Sequence, residues 1–214
     1  MSDMAVHGHT HGHRGFRLPV RRTTQTAPAS GETAAATAVV PAASAAARVL
    51  AGVRFAAGFV FLWAFADKAF GLGYATPAER AWTEGGSPTK GFLSGVAVGP
   101  LESFFHGIAG AAWADWLFML GLLGIGLALT AGVALRLAAA AGTVMMALMW
   151  AAEWPLAQHL SDGSPSMSTN PVVDYHVMYA AVLIALAVAA AGDTWGLGRW
   201  WARLPLVRSL PWLR

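Results

Sequence analysis

Residues 170–201 read NPVVDYHVMYAAVLIALAVAAAGDTWGLGRWW, and this stretch decides the fold class. Asn170 is a good N-cap residue, and Pro171 suits the first helical position, where a missing N–H costs nothing. From Pro171 to Ala191 the only polar side chains are Asp174, Tyr175, His176 and Tyr179, all near the start. Gly192 supplies a stop, and Trp195, Arg199, Trp200 and Trp201 follow as an interfacial belt. A helix over 171–191 would span about 31 Å at ~1.5 Å per residue, the thickness of one hydrocarbon core. The spacing therefore predicts a membrane span with acid and imidazole at one mouth and arginine and tryptophan at the other.

Composition points the same way. Of 214 residues, 56% are hydrophobic and 12% charged, too apolar for an ordinary soluble domain. The chain contains no cysteine, which excludes disulfides, thiolate chemistry and Fe–S ligation by this chain. The net charge of +3 carries no nucleic-acid signal, because the basic residues flank apolar runs instead of forming a patch.

Working outward, three more apolar runs read as spans: about 46–70, 113–135 and 137–154. The second and third form a hairpin that turns at Arg136. The connection 71–112 is too apolar for a plain solvent loop. Thr76-Pro77-Ala78-Glu79 is a capping-box pattern that predicts a short helix, GGSPTKGFL (85–93) reads as turns, and 100–108 as a short helix on the membrane surface with His106 facing out. Residues 1–45 form a tail without a helical stripe, expected to be disordered and cytoplasmic. Its His7, His9, His11 and His13 are expected to bind a transition metal only weakly. Residues 193–214 read as a cytoplasmic, interfacial Trp/Arg tail.

Of the 14 lysines and arginines, only Lys68, Arg80 and Lys90 fall on one side of these spans. The crowded side is cytoplasmic by the positive-inside rule. The expected fold is all-α: an integral four-helix membrane bundle in the inner (plasma) membrane, both termini inside. A long outer connection carrying short interfacial helices joins spans one and two.

That arrangement collects unusual chemistry at the outer mouth: Asp67 and Lys68, Asp115, Glu153, Asp174 and His176, ringed by tryptophans. Ionisable groups inside spans are costly unless paired or hydrated, so the cluster is a candidate site. The alternative is that each residue anchors its own helix end. Arg54, a turn inside the first span, has an anchoring or a functional role. No metal site is expected among these residues.

Blocks in order along the chain, FLWAFADKAFGLGYATP (61–77), GGSPTKGFL (85–93), DWLFMLGLLGIGLAL (115–129) and DYHVMYAAVLIALAVAAAGDTWGLGRWW (174–201), resemble the DoxX/DoxD family of small bacterial membrane proteins. The resemblance covers roughly residues 48–214. It implies the membrane subunit of a thiosulfate:quinone-type oxidoreductase, with quinone as the tentative cofactor. On that reading His176, Asp174, Asp67, Lys68 and Glu153 form the catalytic set, and Trp63, Trp150 and Tyr179 border the quinone. Electrons would come from a soluble redox partner or second subunit, and the chain could form homo-oligomers. The competing reading is a non-catalytic membrane scaffold that docks a redox or stress-response partner through its outer connection.

The orientation has a direct test, because the chain has no cysteine background. In intact cells, Ser87→Cys is expected to label with an impermeant maleimide and Ala29→Cys is not; the opposite pattern would invert the bundle.

Overall fold

The computed structural model describes residues 43–213, so the tail and its histidines lie outside the described residues. The fold is all-helical, with no strand among the described residues. Eight α-helices carry it: α1 (Ala45–Phe70), α2 (Lys90–Leu93), α3 (Glu102–Ile108), α4 (Ala112–Ala131), α5 (Leu135–Glu153), α6 (Tyr175–Val188), α7 (Gly198–Trp201) and α8 (Pro205–Ser209). Short 3-10 turns cover Ala78–Arg80, Trp82–Glu84, Ala191–Asp193 and Pro211–Leu213.

Three helices, α1, α4 and α5, are long and apolar enough to cross a membrane. Helix α1 starts where Ser44 Oγ accepts the Ala47 N–H (3.2 Å) and stops at Gly71, which takes the left-handed conformation at φ 63°. Helix α4 ends the same way at Gly132. The reversal into α5 occupies 132–134, with Ala134 at positive φ, so Arg136 lies in the first turn of α5 and not in the turn itself.

The span read over 171–191 is shorter than expected. Helix α6 has 14 residues, about 21 Å. Asn170 does not cap it. Its Oδ1 instead accepts the N–H groups of Val172 and Val173, both at 2.9 Å, closing a local turn. The Trp150 indole N–H holds the Val172 carbonyl (3.0 Å), and Asp174 caps α6 through the Val177 N–H (3.1 Å). At the other end the helix stops before Gly192, for a reason given below. In the connection, Pro77 precedes a 3-10 turn without any side-chain cap, and Lys90–Leu93 within GGSPTKGFL is helical.

Packing follows chain order: α1 lies along α4, α4 on α5, and α5 on α6, with a lesser contact closing α1 to α6. The shared core contains Ala57, Phe61, Met119, Leu122, Ile125, Leu129, Ala139, Met146, Leu183 and Leu186. Small residues bring the backbones together. A Cβ on Gly126 would meet Leu62, and one on Gly58 would meet Thr130. Large apolar side chains such as Phe59, Leu117 and Val188 point outward, as a lipid-facing surface requires.

One end of the bundle is tied by Arg54, whose side chain is wholly buried. Its Nη1 donates to the carbonyls of Leu129 and Thr130 (2.8 Å to the latter), and Nη2 donates to Thr194 (3.4 Å) and Trp195 (3.1 Å). The first two belong to the last turn of α4, whose carbonyls have no helical partner and carry the negative end of the helix dipole. Close approach of Gly132 to Gly192 makes room for the guanidinium; a Cβ at Gly192 would collide with the Gly132 carbonyl oxygen. Leu197 N–H adds a bond to the Ala131 carbonyl (2.8 Å). Helix α6 therefore gives way to a 3-10 turn before Gly192, so that the GDTWGLG segment can lie flat on the end of α4. At the same end, Arg136 donates to the Pro211 carbonyl (3.1 Å), and the Trp201 indole donates to that of Leu213 (2.7 Å).

Arg54→Ala leaves the Thr130, Thr194 and Trp195 carbonyls without this donor and should destabilise the protein by about 2–4 kcal/mol, read as a lower thermal midpoint in detergent. Arg54→Lys should recover only part of the loss, because a single ammonium cannot span both carbonyl pairs.

Candidate functional site

The opposite end of the bundle carries the ionisable residues, and the structure divides them into three groups with different roles. The first is Asp67. Its two carboxylate oxygens accept the N–H groups of Tyr74 (3.1 Å) and Ala75 (3.0 Å), which folds the chain back over the end of α1. Asp67 is buried and fully engaged in this turn. Lys68, Trp63, Phe59 and Tyr74 border an apolar groove of about 290 Å³ beside it. There Trp63 meets Tyr74 edge-on at 5.1 Å and Phe59 at 5.8 Å. No hydrogen bond or ion pair among the described residues links Asp67 or Lys68 to Asp174 or His176.

The second group centres on Asp115, in the first turn of α4. Its Oδ1 accepts three donors: Ser87 Oγ (2.9 Å), Thr89 N–H (3.0 Å) and Thr89 Oγ1 (2.6 Å). A buried carboxylate with that many donors pins the outer connection to the bundle. Asp67 and Asp115 thus shape backbone, Asp67 through both oxygens and Asp115 through Oδ1.

The third group can do chemistry. Glu153 ends α5, while Asp174, Tyr175 and His176 open α6, so packing of α5 against α6 brings them together. His176 Nδ1 lies 2.8 Å from Asp174 Oδ2, the one contact within 4 Å between a basic nitrogen and a carboxylate among the described residues. The Tyr175 hydroxyl donates to Glu153 Oε1 at 2.6 Å. Its ring lies over the imidazole with centroids 4.0 Å apart. His176 is 1% exposed, and its Nε2 has no hydrogen-bond partner. With a carboxylate at Nδ1, that nitrogen carries the hydrogen and Nε2 keeps a lone pair, as in histidines poised to exchange a proton or hold a ligand.

Aromatic residues border this cluster. Trp150 packs against Trp154 with ring centroids 5.7 Å apart, and Tyr179 is partly buried against the main core. A cavity of about 280 Å³ opens beside Glu153, lined also by Phe92, Val96, Ala152, Ser166 and Ser168. The 155–169 connection forms its rim through Ser168, whose hydroxyl donates to the Pro155 carbonyl at 2.8 Å. Asp162 in the same connection is held below the usual carboxylate range by the Ser164 hydroxyl and N–H. His106 stays at the surface, 2.8 Å from the Val96 carbonyl, and His159 is exposed in the connection.

Comparisons with protein-family models, with curated proteins and with solved structures found no match. The site is therefore read from its own chemistry.

Tyr175 carried no weight in the sequence reading, although it links Glu153 to the α6 carboxylate and imidazole. Its signal was adjacency: a tyrosine between Asp174 and His176 must leave the helix start close to the neighbouring helix end. The passive role assigned to Asp115 has its own consequence. Asp115→Ala should free the 85–90 turn and cost about 2 kcal/mol; limited proteolysis should then cut near Lys90 well before the wild-type chain is cut.

Proposed function

We propose that this chain is a DoxX/DoxD-like integral protein of the inner membrane, crossing it four times with both termini inside. On this reading it is the membrane subunit of a quinone-linked oxidoreductase of the thiosulfate:quinone type, and its outer-leaflet cluster exchanges protons with the quinone. The observation that carries the reading is the buried His176, bonded to Asp174 at Nδ1 and unpartnered at Nε2.

A quinone head is a flat ring with two carbonyl oxygens, each of which must gain a proton as the ring gains electrons. An imidazole near neutral pH is suited to giving and taking that proton. Asp174 orients the ring and offsets the charge of the imidazolium. Glu153, exposed at the cavity, would pass protons between the outer aqueous phase and the cluster. Trp150 and Tyr175 offer apolar faces against which a flat ring can stack. Asp67 and Lys68, assigned to the same site by sequence, enter this reading only as the frame of the neighbouring groove. Electrons come from a soluble partner or second subunit, since the chain has no cysteine for a cluster or thiol.

The test is direct. The protein purified in mild detergent should contain quinone by mass spectrometry, in about stoichiometric amount. His176→Ala should lose it, or lose quinone-linked turnover by about 100-fold or more, as expected for removal of a general acid–base group. A stoichiometric protein partner with no quinone, unchanged by His176→Ala, would point to the scaffold instead.

A further inference from the structure

We infer that Glu153, Asp174 and His176 form a binding site for one first-row divalent transition-metal ion. Each of the three offers one ligand atom, and those atoms all lie within 4.8 Å of one another. Around an ion with bonds of roughly 2.0–2.2 Å, ligand atoms sit roughly 3–4.4 Å apart. The 2.8 Å contact between His176 Nδ1 and Asp174 Oδ2 is shorter than this, so an ion would open that hydrogen bond and take its place between the two side chains.

The charge balance favours a cation. Two carboxylates face one imidazole here, and no lysine or arginine comes within 4 Å of either among the described residues. Among the described residues no cation within 4 Å offsets the second negative charge. A divalent ion would neutralise both.

The neighbours already hold the ligands in place. Tyr175 fixes Glu153 at Oε1 by its hydroxyl, and the Val177 N–H fixes Asp174 at Oδ1, while Asp174 Oδ2, bonded to His176 Nδ1, would exchange that bond for the ion. Such outer contacts are what orient ligands in metal sites. His176 supplies an independent pointer, being 1% exposed with a nitrogen that no group in the protein satisfies. The cavity beside Glu153 gives an entry path from the surface.

Ligand type narrows the metal. One imidazole with two carboxylates suits zinc, manganese or ferrous iron; all-oxygen sites suit calcium and magnesium, and thiolate sites suit cuprous copper. The site differs from the His7–His13 run, which has no carboxylate within its HGHTHGH repeat. It shares side chains with the quinone reading but does not rest on it, because metal binding is measured without quinone.

The experiment uses the full chain in detergent, with His7, His9, His11 and His13 each replaced by alanine and metal removed by chelation. Titration with Zn²⁺ should show one equivalent bound per chain, and Co²⁺ should give visible absorption bands that Zn²⁺ abolishes. Glu153→Gln and Asp174→Asn should each weaken binding by about 10- to 100-fold. Asparagine still caps a helix, so the metal-free thermal midpoint should stay near that of the parent. Affinity unchanged in both variants would mean adventitious binding and overturn the site, as would binding of less than a tenth of an equivalent. Quinone measured in the same preparations separates the two readings. Quinone bound without zinc uptake overturns the metal site alone, and zinc uptake without quinone supports it while removing the quinone reading.

Discussion

The contact on which the bundle most depends is a single arginine reaching across three segments. Arg54 leaves α1, neutralises the carbonyl end of α4 and holds the backbone at Thr194 and Trp195. In an apolar surrounding, the carbonyls of Thr130, Thr194 and Trp195 and the two terminal nitrogens of the guanidinium would each be costly alone, and they pair with one another. The glycines at 132 and 192 follow from that demand, since any side chain there would push the carbonyls out of reach. The start of α5 inherits its position from the Gly132 reversal, and the C-terminal segment inherits its position from Gly192. One end of the molecule is therefore fixed by backbone hydrogen bonds to a charge, while the other is left to side-chain chemistry.

That division explains why the ionisable residues at the far end do not act alike. Asp67 and Asp115 meet backbone N–H groups and hydroxyls, so their oxygens are spent on turns. Glu153 keeps one oxygen free, Asp174 turns one of its two onto the imidazole, and His176 keeps a whole nitrogen. Residues with similar sequence positions, at the ends of apolar helices, thus fall into anchors and reactive groups according to what the loop beside them needs.

Much of this was legible in the sequence, and the failures have physical causes. Helices α1, α4 and α5 were legible because the long apolar runs 46–70, 113–135 and 137–154 admit no other compact form, although α4 ends earlier than read, at Ala131. The start of α6 was misread because Asn170-Pro171 is a good local start, while Asp174 is an equally good one that also places His176 in the core; tertiary packing chose the second. The union of Glu153 with Asp174 and His176 followed from antiparallel ends and could be read. The separation of Asp67 from them could not, because its partners are the backbone N–H groups of residues 74 and 75, which carry no residue-type signature. Arg54 was visible as an oddity in an apolar helix, but its targets are carbonyls about 75 and 140 residues away in the chain.

The unequal lengths of the helices have a consequence for the surrounding lipid. Helix α1 is about 39 Å long and α6 about 21 Å, by the rise per residue. On the proposed four-span reading the hydrophobic wall of the molecule is therefore taller on the α1 side than on the α6 side. Acyl chains facing α6 must shorten or tilt, at a cost of fractions of a kcal/mol per ångström of mismatch.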